Sequence, residues 1–152
     1  MFTNLWSAIL TALFSHIHHL AIICSDYGVS KRFYIEQLGF VLVDENWRAD
    51  RQSWKCDLES GCVRLELFSF PLSPARPSRP EACGLRHLAF AVDSVARAVE
   101  HLRDQGIVTE PVRSDPYTGS PFTFFADPDG LPIEIYQADT SAVSAPSRNK
   151  SG

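Results

Sequence analysis

The sequence lacks the features that mark several large functional classes. It contains no run of lysines or arginines and its formal net charge is −4, so it offers no basic surface for nucleic acid. No apolar stretch reaches the roughly 20 residues that a membrane-spanning helix needs. No Cys-x-x-Cys pair joins the four cysteines, which we interpret as reduced thiols of a cytoplasmic protein. We therefore expect neither nucleic acid nor a membrane as a partner.

An internal repeat is the most informative feature that is present. The tripeptide His-Leu-Ala that begins at His19 recurs at His87, 68 residues later. Glu66 recurs as Glu134 at the same interval, within matching apolar segments. Each half of the chain thus carries one histidine and one glutamate, 47 residues apart. This pattern predicts a duplicated scaffold with duplicated metal-type ligands.

The length of 152 residues and the hydrophobic content of 45% suit one domain, or two small modules that share a core. We predict an N-terminal extension over residues 1–15, a single domain over 16–137 and a disordered tail over 138–152. The domain divides into a module at about 16–70, a proline-rich linker at 71–83 and a module at about 84–137. The extension has helical apolar spacing, so we interpret it as an appended helix or as an irrelevant upstream segment.

Each module has the pattern of a strand, a helix and three further strands, which predicts an α+β fold. The first helix begins after Asp26 and ends at Gly39, and the second begins after Asp93 or Ser94 and ends at Gly106. The predicted strands are 17–24, 40–43, 51–58 and 63–70 in the first module, and 87–92, a short strand within 107–113, 122–125 and 131–136 in the second.

Strand periodicity predicts where the repeated polar residues point. Alternate residues of a strand share a face, so each histidine lies on the same face as the small alanine two positions later. The two glutamates lie in the middle of apolar strands, where a carboxylate is costly unless it is paired or coordinated. Two imidazoles and two carboxylates suit a divalent transition metal. The competing interpretation of any single residue is a core histidine, or a glutamate bonded to Arg64.

These features resemble a known family. Paired modules of this kind, with His-x-Ala first strands and the turn 127–130 (Asp-Pro-Asp-Gly) before Ile-Glu, are similar to the vicinal oxygen chelate superfamily. That superfamily includes glyoxalase I, extradiol dioxygenases, fosfomycin thiol transferases and bleomycin-sequestering proteins. The run 76–90 especially resembles glyoxalase-I-like metalloproteins of the YaeR type. The resemblance implies a curved mixed sheet around a cavity that holds one nickel, cobalt or zinc ion, with the ligands His19, Glu66, His87 and Glu134.

The same resemblance implies an activity. The His/Glu/His/Glu set is that of bacterial glyoxalase I, which isomerises a glutathione hemithioacetal of methylglyoxal as a carbon–sulfur lyase. We expect Glu134 to move the proton between adjacent carbons, with Glu66 as the symmetrical candidate. The chain departs from glyoxalase I where that enzyme holds glutathione, because Ile23 replaces an arginine and Phe70 replaces an asparagine. The resemblance is also compatible with a thiol transferase or a dioxygenase of the same fold, and with a protein that sequesters a small molecule without turnover.

Cationic and aromatic side chains near the predicted ligands are candidates for substrate binding. Arg64 ranks first because it shares a strand face with Glu66. The full set is Arg64, Arg48, Lys55, Trp54, Arg79 and Phe122. The many strand edges favour a homodimer, and the site can lie within one chain or be shared between two.

Overall fold

The computed structural model describes residues 13–139. It contains two short α-helices and eight strands, and a π-helical turn follows the first helix directly. In chain order the elements are β1 (Leu20–Cys24), α1 (Tyr27–Arg32), the π-helical turn (Phe33–Gln37), β2 (Val41–Arg48), β3 (Ser53–Ser60), β4 (Val63–Ser69), β5 (Leu88–Val92), α2 (Val95–Asp104), β6 (Arg113–Ser114), β7 (Pro121–Ala126) and β8 (Pro132–Gln137).

The eight strands form two separate four-stranded sheets with the same topology. The first sheet has the order β1-β4-β3-β2, and the second has the order β5-β8-β7-β6. In each sheet the first strand of the module pairs parallel with the last, while the remaining pairs are antiparallel. The predicted α+β fold of two β-α-β-β-β modules is therefore confirmed. The sheets remain distinct, and neither closes into a barrel.

The helix boundaries follow the predicted capping chemistry. The Asp26 side chain accepts a hydrogen bond from the backbone N–H of Val29 at 2.9 Å, and Ser94 caps α2 by accepting from the N–H of Arg97. Gly39 and Gly106 have φ angles of +79° and +76°, which glycine adopts without strain. The first helix differs from the expectation because its second half is π-helical.

Several strand boundaries differ from the prediction. The first strand begins at Leu20, so His19 lies immediately before it, and β2 continues from Val41 to Arg48 instead of stopping at residue 43. Pairing with β3 extends β2 through polar residues that favour strands weakly, past a register shift between Leu42 and Asp44. The predicted strand within 107–113 shrinks to a two-residue ladder at 113–114.

The predicted terminal segments fall largely outside the described residues. Residues 13–15 are not helical, and the rest of the predicted N-terminal helix lies outside the described range. Of the predicted tail, the structure describes residues 138–139 alone, which have no regular structure. The linker at 71–83 contains turns and no strand.

One hydrophobic core joins the two modules. The helix-facing side chains of both sheets are buried in it, among them Leu65, Leu67 and Ile133. The buried Tyr34 hydroxyl donates a hydrogen bond to the Asp127 carboxylate at 2.9 Å, which links the first module to the second. Burial raises the pKa of Asp127 above its usual value, although the hydrogen bonds that it accepts oppose this effect. The core lies on the helix side of each sheet, so the opposite faces are left for a site.

No helix within residues 13–139 is long and apolar enough to cross a membrane. All four cysteines lie in the described part of the chain, and none of them forms a disulfide. Cys24 and Cys56 are buried, and burial raises the pKa of the Cys24 thiol to about 11.

Candidate metal centre

The first His–Glu pair lies on the helix-free face of the first sheet. The parallel pairing of β1 with β4 sets Ala21 opposite Glu66, and His19 precedes β1 on the same face. The Nε2 atom of His19 lies 3.6 Å from Oε2 of Glu66. The neighbouring face residues Ala21 and Ile23 are exposed, so nothing bulky covers the pair from these positions.

The second pair repeats this arrangement in the second sheet. The parallel pairing of β5 with β8 sets Ala89 opposite Glu134, and Nε2 of His87 lies 3.0 Å from Oε2 of Glu134. The Phe124 ring contacts the imidazole edge-on at a centroid distance of 5.2 Å. Ala21 and Ala89 are both exposed beside their histidines, so a small side chain leaves space next to each pair.

The structure brings the four predicted ligands together as two pairs. Within residues 13–139, no group of three or more histidine, cysteine, aspartate or glutamate side chains converges as metal ligands do. His19 meets Glu66 and His87 meets Glu134, each on the free face of its own sheet. One chain therefore presents two half-sets of donors in equivalent positions.

The chemistry of these donors suits a divalent transition metal. Imidazole nitrogen and carboxylate oxygen are the donors that zinc, nickel and cobalt accept in proteins. The Nδ1 atom of His87 is buried and has no hydrogen-bond partner among the described residues. An orphaned buried nitrogen of this kind calls for an ion or a water molecule at the site. The residues present thus fit the metal that the sequence predicts.

Lys55 ties the first pair to a charged network. Its ammonium lies 3.0 Å from Glu66 and 2.6 Å from Asp57, and the side chains of all three residues are partly buried. Burial alone would lower the pKa of Lys55, but hydrogen bonds with the two carboxylates raise it above its usual value. Lys55 thus remains charged and holds one oxygen of Glu66 in place.

Arg64 and Trp54, two of the predicted substrate residues, have other partners. Nε of Arg64 donates to the Glu59 carboxylate at 2.8 Å, and a second guanidinium nitrogen contacts the same oxygen. Trp54 lies on the helix side of the first sheet, where it stacks on Tyr27 at 5.6 Å. Successive residues of a strand point to opposite faces, so Trp54 cannot share a face with Lys55. The structure does not bring Trp54 to the His–Glu pair.

Arg48 lies on the same face as the first pair. Its guanidinium is 5.3 Å from the ring centroid of Phe68 and 5.6 Å from that of Phe70. The two rings stack on each other at 5.9 Å, which builds an aromatic support for the cation. Phe68 follows Glu66 by two residues on β4, so this support continues the face that carries the pair.

Aromatic rings surround the second pair. Phe122 packs edge-on against Phe124 at 6.1 Å and stacks on Tyr136 at 6.4 Å. A cavity of about 660 Å³ opens beside His87, and Arg79 and Phe124 are among its lining residues. The predicted substrate residues Arg79 and Phe122 are thus placed near the second pair, and Arg48 and Lys55 near the first.

Three contributors were absent from the predicted set. Asp57 and Phe124 could have been found from strand alternation, because they lie directly opposite Glu66 and Glu134 in the ladders. Arg76 donates hydrogen bonds to the carbonyl oxygens of Leu85 (2.7 Å) and Arg86 (3.1 Å), and so fixes the segment before His87. No local sequence pattern signals that contact, because it depends on how the linker folds back.

Comparison with known proteins places this geometry in a family. Residues 16–135 match the model of the Glyoxalase/Bleomycin resistance protein/Dioxygenase superfamily. The chain is 58% identical to YaeR of Escherichia coli over 122 residues, which cover 80% of this chain and 95% of YaeR. It is 56% identical to YwkD of Bacillus subtilis over 126 residues, which cover 82% and 98% of the two chains.

A solved structure extends the comparison to three dimensions. A glyoxalase family protein from Enterococcus faecalis is 50% identical and superimposes with a TM-score of 0.79, over 82% of this chain and 99% of that one. The duplicated modules, the two free sheet faces and the sequence match all support the same family assignment. The chain belongs to the glyoxalase/bleomycin resistance/dioxygenase superfamily, also known as the vicinal oxygen chelate superfamily.

Proposed function

We propose that the protein is a homodimeric, metal-dependent lyase of the glyoxalase I type. In this proposal, His19 and Glu66 of one chain and His87 and Glu134 of a second copy hold one divalent nickel, cobalt or zinc ion. The observation that carries it is the presence of two matched half-sets of donors on two free sheet faces. A twofold dimer joins each half-set to the opposite half-set of its partner, which gives two equivalent sites.

The substrate in this proposal is a small molecule with oxygens on adjacent carbons, possessing the chemistry of the hemithioacetal of methylglyoxal and glutathione. When bound, the divalent ion supplies Lewis-acid polarisation of those oxygens. A carboxylate of the chain then takes the proton from one carbon and returns it to the adjacent carbon, while the hydroxyl proton of the hemithioacetal moves to the neighbouring carbonyl oxygen. The net reaction is an isomerisation, in which no atom is gained or lost.

Glu134 is the better candidate for the proton carrier. Its one ion-pair partner among the described residues is His87, so its second oxygen is free to turn towards a substrate. Glu66 is held by Lys55 as well as by His19, which favours a fixed position as a ligand. The rings of Phe122 and Phe124 line the side of Glu134 and limit the access of water.

The first test measures the metal content of the purified protein and then turnover of the methylglyoxal–glutathione hemithioacetal by the nickel form. We expect about one ion per chain, strongly reduced in His19→Ala and in His87→Ala, and conversion of the hemithioacetal to the thioester. Wild-type protein that retains no divalent ion after loading would overturn the proposal. A retained metal without turnover favours another metalloenzyme of the fold or a sequestering protein, which substrate screening and ligand binding then separate.

A further inference from the structure

The guanidinium of Arg48 lies over two aromatic rings and has no anion beside it among residues 13–139. Two stacked phenyl rings, Phe68 and Phe70, cover it from one side, and the side chain is half-buried at the end of β2. Within residues 13–139, no side chain offers Arg48 a hydrogen bond or a carboxylate at ion-pair distance. A guanidinium has five N–H donors, and a half-buried cation without a counter-charge is costly unless a ligand supplies one.

The other arginines on these two sheet faces differ from Arg48 in this respect. Arg113 occupies the comparable strand of the second sheet and lies over Phe122 and Phe124 at 5.1 and 5.6 Å. It nevertheless donates to the Glu110 carboxylate at 2.8 Å, so its charge is already compensated. Arg64 is compensated by Glu59. Arg113 rests on aromatic rings and is nevertheless paired with a carboxylate. The aromatic support of Arg48 therefore does not by itself account for the absence of a carboxylate beside it.

The position of Arg48 sets a distance from the first His–Glu pair. Phe68 and Phe70 follow Glu66 by two and four residues on the same face of β4. At about 3.3 Å per residue, the guanidinium lies roughly 7–13 Å along the strand from Glu66. Lys55, which lies between Arg48 and Glu66, already forms ion pairs with Glu66 and Asp57. Arg48 is thus the available cation at a fixed distance from the pair.

We propose that Arg48 binds an anionic group of the substrate, a carboxylate or a phosphate, carried about 10 Å from the oxygens at the metal end. This inference rests on the proposed function, because it takes Glu66 as one end of the substrate site. It names the substrate class as an elongated, anionic molecule with vicinal oxygens. Bidentate recognition of a planar carboxylate or of a phosphate is what a guanidinium fixed by stacking performs best.

The experiment compares two probes of equal chain length, 2-oxooctanoate and 2-oxooctanedioate. Both have vicinal oxygens at one end, and the dioate adds a carboxylate at the far end. Binding to the nickel-loaded dimer is measured by calorimetry for the wild type, for Arg48→Gln and for the matched control Arg113→Gln. We expect the dioate to bind the wild type about tenfold more tightly than the monoacid. Arg48→Gln abolishes that preference, and Arg113→Gln retains it.

Two results would overturn the inference. The first is equal binding of the two acids by the wild type, and the second is a preference that survives in Arg48→Gln. If the first result is accompanied by dissociation of the dimer in Arg48→Gln, Arg48 is instead assigned to a carboxylate of the second copy. Binding of the monoacid reports the metal end separately. Failure of both acids to bind a metal-loaded wild type therefore counts against the proposed function, whereas equal binding counts against Arg48 alone.

Discussion

The two halves of the molecule place the same His–Glu pair in different surroundings. Opposite Glu66 the first sheet has Asp57, and opposite Glu134 the second sheet has Phe124. One step along the ladder, Lys55 of the first sheet corresponds to Phe122 of the second. The first pair therefore lies in a network of charges, and the second lies among aromatic rings.

A duplicated scaffold can divide two tasks between such different surroundings. The charged neighbours of Glu66 fix its position, which suits a permanent metal ligand. The aromatic neighbours of Glu134 leave its second oxygen unpaired and limit the access of water, which suits a group that moves a proton. A shared site between two chains would combine one pair of each kind.

The largest expected effect separates the two glutamates. At saturating nickel, Glu134→Gln should lower kcat by about 100-fold or more, because it removes the proposed proton carrier. Glu66→Gln should lower kcat by only about tenfold, because the amide oxygen still binds weakly and the carrier is intact. Steady-state kinetics with the metal content measured in parallel would check this order. Equal losses, or the reverse order, would remove the division of tasks.

A smaller effect is expected from Lys55→Met. Without the ammonium, the facing carboxylates of Asp57 and Glu66 repel each other, and unfolding free energy falls by about 2 kcal/mol, or roughly 6 °C in Tm. Nickel should raise the Tm of this variant more than that of the wild type, because in the variant the ion takes over from Lys55 in offsetting the charge of Glu66. The matched control Lys55→Met/Asp57→Leu removes the repulsion and should recover most of the loss. Thermal unfolding with and without nickel measures the effect of the metal and of the second substitution. If neither nickel nor Asp57→Leu recovered the lost Tm, the charged network of Lys55, Asp57 and Glu66 would be contradicted.

The smallest effect concerns how each module holds its helix. In the first, Glu45 accepts hydrogen bonds from Tyr27 (2.7 Å) and Lys31 (2.6 Å), and these bonds lower the pKa of Glu45. In the second, the neutral Gln137 amide accepts from the N–H of Val95 at 3.1 Å. A carboxylate with a lowered pKa in the folded state stabilises the protein above its unfolded-state pKa and loses that effect as pH falls.

Urea unfolding of Glu45→Gln at two pH values tests this contrast. The variant should lose less than about 1 kcal/mol at pH 7, since the carboxylate is partly exposed, and the difference from the wild type should shrink below pH 4.5. Gln137→Leu serves as the control, because its loss should be the same at both pH values. A deficit of Glu45→Gln that does not change with pH would show that the contact is not ionic.

The repeat and the strand periodicity predicted the fold, because the alternation of apolar and polar residues is a local signal. The same repeat singled out residues 19, 66, 87 and 134, which lie as two pairs in one chain, and a single metal site built from all four remains a prediction. Trp54 was predicted as a substrate residue without reference to its strand face, and alternation with the buried Cys56 and Leu58 puts its side chain on the helix side of β3. The partner of Arg64 and the support of Arg48 depend on cross-strand and same-strand packing, which a single sequence does not encode locally.

The most direct test of the shared metal centre combines two inactive variants in one dimer. Chains carrying His19→Ala and chains carrying His87→Ala are coexpressed with different tags, and the mixed dimer is purified for metal analysis and turnover. We expect each variant alone to be inactive, and the mixed dimer to regain one intact site, with one ion per dimer and about half the wild-type activity. A mixed dimer as devoid of metal and activity as its two parents would contradict a site built from two chains.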